Sequence, residues 1–209
     1  GHKVAICDQL EDPSQAQGMV KRGVTRVITP GTVTEPAMLS DTDNNYILSA
    51  ARLGGTVGIS YADISTGEFI AYEIGETGAA FQGEMARIGP KEMICAEKDG
   101  EWAASLLTDP RLQHIYLNPY SDWAYGPDAA QKTLEEHFKT AGLRAFGIAD
   151  KPAAVSAAGA LMNYLKETLA GRAPRHLGHN PAGALMVVAL LGLIPLLALT
   201  GMASLAIED

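Results

Sequence analysis

Asp63 has the strongest claim to catalytic chemistry in this 209-residue sequence. It closes an apolar stretch and opens the string Asp-Ile-Ser-Thr-Gly (63–67). A strand-borne aspartate joined by two or three further carboxylates holds Mg²⁺ ions for phosphodiester cleavage. Glu68, Glu73 and Glu97 are the candidate partners, but none falls in a recognisable nuclease signature. The string also reads as a plain turn, in which Ser65 and Thr66 bond back toward Asp63 and Gly67 allows the reversal. Nucleophilic chemistry has less to stand on. The serines lack a G-x-S-x-G context, and neither Cys7 nor Cys95 has a histidine beside it. Gly54-Gly55 is no phosphate loop, because no lysine with Ser or Thr follows at the required spacing. His176 and His179 stand at i, i+3, a spacing that suggests haem or metal ligation, yet they have no third partner. Lys21, Arg22 and Arg26 form the one basic cluster of the N-terminal region.

The elements that must position these residues centre on Asn44 to Ile74. Asn45–Ala51, Thr56–Ile64 and Phe69–Ile74 read as three consecutive strands, turned at Gly54-Gly55 and at Ser65-Thr66-Gly67. In the second strand Val57, Ile59, Tyr61 and Asp63 fall on one face, with Gly58, Ser60, Ala62 and Ile64 on the other. Upstream, Val4–Cys7 and Val24–Thr29 are short strands. Downstream, Gly78–Ile88 is spaced as a helix, Lys91–Ala96 as a strand, Glu101–Leu107 as a helix and His114–Leu117 as a strand. A helix opens at Pro127 and ends at Gly142, and a longer one runs from Lys151 to Leu169 with Val155, Ala158, Met162, Leu165 and Leu169 on one side. This order predicts an α/β protein with a mixed sheet and helices packed against it.

A net charge of −8 argues against a generally basic nucleic-acid-binding surface while leaving room for a local patch. The two cysteines sit singly in apolar runs and are expected as reduced, buried thiols of a cytosolic protein. The chain opens without methionine and runs straight into a strand, which suggests a piece of something longer. From Leu177 the character changes. Between Gly178 and Ile207 there is no Asp, Glu, Lys or Arg, and the run 184–199 within it is apolar throughout; a helix of ~20 such residues spans a bilayer core. Arg172 and Arg175 before it would keep the N-terminal side cytoplasmic.

Several motifs in order carry a family resemblance. HKVAICDQLEDPSQAQGMVKRGVTRVITPGT (2–32), NNYILSA, YADISTGEF (61–69), RIGPKEMI (87–94), GLRAFGI (142–148) and AAGALMNYLKET (157–168) together closely resemble MutS-type DNA mismatch repair proteins, over about residues 2–177. The resemblance implies the C-terminal part of a mismatch-binding domain over 1–38 and a connector domain with a ribonuclease-H-like sheet over 39–120. It further implies the start of a helical core over 121–177. In the intact family it implies mismatched double-stranded DNA, downstream repair proteins and a second copy of the chain as partners, with ATP and Mg²⁺ as cofactors. The family's Phe-X-Glu wedge and its phosphate loop are absent from this sequence. The expectation is therefore a cytoplasmic coupling module without enzymatic activity or cofactor of its own. By the same resemblance Arg22 matches a basic position expected near the DNA backbone, with Lys21 beside it, where contacts position a protein without reading sequence.

The tail departs from that family. GHNPAGALMVVALLGLIPLLALTGM resembles a membrane helix of bacterial b-type cytochromes. It implies an apolar C-terminal helix over 178–209, unrelated to the rest, with membrane association through residues 184–206. Two rival functions follow: a Mg²⁺-dependent ribonuclease-H-like nuclease using Asp63, or a membrane-anchored, b-type-cytochrome-related protein with His176 and His179 as ligands.

Overall fold

β1 (Val4–Gln9) and β2 (Arg22–Ile28) pair antiparallel as a two-stranded ribbon, with a bulge between Ile6 and Cys7. The computed structural model describes residues 2–11, 19–33, 44–76 and 78–170. Most β1 side chains face solvent, so Cys7 is exposed, against expectation, whereas Cys95 is buried. A ribbon two strands wide has no second layer to cover its thiol.

The meander forms as its spacing predicts. β3 (Tyr46–Leu53), β4 (Thr56–Asp63) and β5 (Glu68–Gly75) pair antiparallel in order. Gly54 and Gly55 both take positive φ, 59° and 80°, which a two-residue hairpin of this twist requires. Then follow α1 (Gly78–Ile88), β6 (Glu92–Ala96), α2 (Gly100–Leu106) and β7 (Tyr116–Tyr120). β6 and β7 run parallel to β3, giving the mixed sheet β5-β4-β3-β6-β7. β7 starts two and ends three residues later than its apolar run suggests, in register with Glu92–Ala96 of β6, and so includes Pro119. Proline is tolerated there since β7 is a sheet edge and its missing donor costs no ladder bond.

α3 (Pro127–Phe138) ends earlier than expected, on Lys139 in the left-handed region at φ 52°. α4 (Pro152–Leu169) lies between two layers. One face, with Ala157, Ala160, Leu161, Tyr164 and Leu165, shares a core with Ile47, Ala62 and Ile94 of the sheet. The other, with Val155, Ala158 and Met162, packs on Ala130 and Leu134 of α3. Residues 121–169, expected to open a separate helical domain, thus share their core with the sheet. The opposite sheet face, with Leu48, Ile59 and Met93, is covered by Phe81 and Met85 of α1 and Ala103 of α2. Small residues let α4 approach closely. A Cβ added at Gly58 would stand 1.9 Å from the Ala153 carbonyl oxygen, and one at Gly159 would stand 2.4 Å from Ala130 Cα.

The start of α4 has no side-chain cap from its own N-cap residue, Lys151, and no acidic residue in its first turn. Glu73 of β5 supplies one across the chain, accepting from Ala153 N at 2.7 Å and Ala154 N at 3.1 Å. Its charge also opposes the positive end of the helix dipole. Glu73→Ala is expected to cost about 1–2 kcal/mol, the range of a lost N-cap, read as a lower urea midpoint with an unchanged slope. An unshifted midpoint would remove this account of how α4 is seated.

Among the described residues no helix is long and apolar enough to cross a membrane. The tail 178–209, its run 184–206, and His176 and His179 lie outside the described residues.

Candidate functional site

Asp63 is 1% exposed and fully used. Its Oδ1 accepts from the backbone N of Ser65 at 2.8 Å and from the Ser65 hydroxyl at 2.6 Å, and its Oδ2 accepts from Asn45 N at 3.0 Å. Its own carbonyl accepts from Gly67 N at 2.9 Å, closing the turn, and Gly67 sits at φ 76°. Burial pulls the Asp63 carboxyl upward. The bonds from the Ser65 hydroxyl and the backbone of Asn45, Ser65 and Thr66 outweigh it and hold the group below the usual aspartate value. A carboxylate with its lone pairs spent on its own turn has little left for a metal.

The other carboxylates are elsewhere or engaged. Glu68 lies directly opposite Asp63 on β5 but accepts from the Tyr46 hydroxyl at 2.7 Å, which with burial pushes that phenol up to about 12. Glu73 pairs with Gly58, about 17 Å up the strand from Asp63 at the usual rise per residue. Glu97 follows the end of β6, which runs parallel to β3. Asp63 lies beside the start of β3, so the two occupy opposite ends of the sheet. Among the described residues no three His, Cys, Asp or Glu side chains converge in a way that could hold a metal ion. The nuclease constellation is therefore not assembled around Asp63. Cys95 offers no nucleophile either, since burial first, and then Asp99 and Asp122, push its thiol up to about 12.

Lys21 and Arg22 sit at the end of the ribbon where the chain passes from β1 to β2, and Arg22 pairs with Gln9 there. Both are exposed. The Lys21 backbone donates to Glu11 Oε1 at 2.7 Å and its carbonyl accepts from Leu10 N at 2.9 Å, which fixes the backbone from which both cationic side chains project. Two exposed cationic side chains thus stand together at one end of the ribbon, in a chain that is acidic overall.

Sequence reasoning missed Glu92, the first residue of β6 and 0% exposed. Oε2 accepts from Gly31 N at 3.0 Å; Oε1 accepts from Asn118 Nδ2 at 3.0 Å and from the Tyr164 hydroxyl at 2.7 Å. Burial, and then the Glu92 charge, push the Tyr164 phenol far up. The one local signal was a glutamate heading an otherwise apolar five-residue strand.

Comparison with known proteins follows the same division of the chain. Residues 1–37 match the family model described as MutS domain I, and residues 45–180 match that of MutS domain II. The DNA mismatch repair protein MutS of Halothermothrix orenii is 44% identical over 169 residues, covering 80% of this chain and 18% of that protein. Those of Protochlamydia amoebophila and Methanococcoides burtonii are 39% and 37% identical, covering 81% and 86% of this chain. The chain spans about a fifth of the length of these curated relatives, 20% in each of the latter two.

Proposed function

This chain belongs to the MutS family, and from that premise we propose that it serves as the joint between the DNA-gripping end and the remainder of a mismatch repair protein. Residues up to about 38 would be the end of the mismatch-binding part. The sheet with its helices, through α4, would be the connector. The observation that carries this reading is the match of both domain models, in order, to a chain whose ribbon and sheet each form as a distinct element. A ribonuclease-H-like type for the connector is supported by the meander β3-β4-β5, whose first strand also pairs in parallel with β6.

In this reading the chain transmits a change rather than making or breaking bonds. ATP, Mg²⁺, mismatched duplex DNA, downstream repair proteins and a second copy are partners of the intact protein, in the cytoplasm, and no residue here is assigned to ATP or Mg²⁺. Lys21 and Arg22 would touch DNA phosphates. Replacing both with alanine is then expected to weaken duplex binding equally for matched and mismatched DNA. It should also flatten the dependence of log K on log salt by about 0.9 per lost contact. Fluorescence anisotropy at several salt concentrations reads both effects. An unchanged salt slope, or a loss confined to mismatched DNA, would overturn the assignment.

A further inference from the structure

A two-stranded ribbon is marginal by itself, and this one leaves Val4 and Val24 exposed. What holds it lies in the 3₁₀ turn Pro30–Thr32 that follows β2. Thr29 and Thr32 are buried and bonded to each other, with Thr29 N donating to Thr32 Oγ1 at 2.9 Å. Gly31 presents bare backbone to the sheet. A Cβ there would stand 2.8 Å from Ile47 Cβ and 3.1 Å from both Cβ and Oε2 of Glu92. The Gly31 N–H donates to Glu92 Oε2 at 3.0 Å, and the Thr29 hydroxyl lies 3.4 Å from that of Tyr164.

The two oxygens of Glu92 divide their work. Oε1 is held by Asn118 of β7 and Tyr164 of α4, both inside the sheet unit. Oε2 reaches out of that unit to the exit turn of the ribbon. A sheet core has no need of a fully buried carboxylate, which is costly unless every lone pair is engaged. We infer that Glu92 is a latch: it pins the ribbon's exit turn to the start of β6 and so fixes where the ribbon, with Lys21 and Arg22 at its far end, stands on the connector sheet. Tyr164 and Asn118 are the positioning residues that aim it. Opening the Oε2 bond loosens the turn and ribbon as one unit, leaving them only the 3.4 Å Thr29–Tyr164 contact and their packing on β3 and α4, while β3 to α4 stay folded around their own core. The inference goes beyond the proposed function and holds whether or not the ribbon touches DNA.

Native-state hydrogen exchange by mass spectrometry on the whole 209-residue chain tests it. Glu92→Gln removes the charge and leaves a single acceptor oxygen for the donors of Gly31, Asn118 and Tyr164. Gly31→Ala leaves the carboxylate intact and wedges the turn off. Both are expected to lower protection over residues 22–33 roughly tenfold, the scale of one charge-assisted hydrogen bond lost. Protection over β3, β4 and β6 should hold within about twofold. Ribbon exchange unchanged in both variants would overturn the latch, and so would sheet and ribbon losing protection together. If Glu92→Gln fails to fold, Gly31→Ala decides alone, and its failure to fold would also count against the latch. DNA affinity is not part of the readout, so the result stands apart from the assignment of Lys21 and Arg22.

Discussion

Gly58→Val is expected to lower the unfolding free energy by about 3 kcal/mol or more, at the upper end of what overpacking costs, out of the ~5–15 kcal/mol a domain holds. The reason is backbone meeting backbone. A Cβ at position 58 would stand 1.9 Å from the Ala153 carbonyl oxygen, 2.1 Å from its carbon and 2.6 Å from Ala154 N. No rotamer relieves this, so α4 must withdraw. Withdrawal strips the two bonds that Glu73, opposite Gly58 in the register, makes to Ala153 and Ala154. It also opens the core that Ala157, Ala160 and Leu161 share with Ile47 and Ile94. Gly75→Val is the control. It lies at the end of β5, where an added Cβ meets nothing within 4 Å, and its cost should stay within about 0.5 kcal/mol. Urea denaturation followed by circular dichroism reads both. Equal midpoints for the two variants would mean that α4 does not sit on the sheet through Gly58.

This dependence of α4 on one glycine also marks where sequence reading ran out. The meander was legible because its signals are local. Gly54-Gly55 and Gly67 take the positive φ their turns demand, and the alternation in β4 puts Val57, Ile59 and Tyr61 in the core under α1 while Ala62 faces α4. α4 shows a stripe of Val155, Ala158 and Met162 that does pack, against α3. Its second buried face adds Ala157, Ala160, Leu161, Tyr164 and Leu165, so that apolar residues run almost all round the helix and leave little periodic contrast. Glu73 as a cap and Glu92 as an acceptor were invisible for a different reason. Their partners are 80, 61 and 72 residues away in the chain, and no local pattern encodes such a pairing. The same limit applies to Asp63, whose five-residue string reads as a turn but leaves a metal-ligand role open until the positions of Glu73 and Glu97 are known.

Asp63 therefore separates a structural account of this chain from a catalytic one. Asp63→Ala is expected to cost about 2–3 kcal/mol, because removing the carboxylate strands the buried donors of Asn45 and Ser65, each costing about 1–3 kcal/mol if unmet but partly rescued by water at a turn. Asp63→Asn should fall between, since its single oxygen serves either Ser65 or Asn45 but not both. The effect has a pH signature. The folded carboxyl lies below its ordinary value, so the ionised form binds its turn more tightly than the protonated form. That stabilisation is fully present above the unfolded value of about 3.9 and is lost as pH falls through the lower folded value. The gap between native chain and Asp63→Asn should accordingly be wide at neutral pH and shrink in acid below about pH 4. Both chains should leave single- and double-stranded DNA equally uncut with Mg²⁺ present. Mg²⁺-dependent cleavage abolished by Asp63→Asn at undiminished stability would sink the structural account, because the lone pairs assigned to the turn would have been holding metal instead.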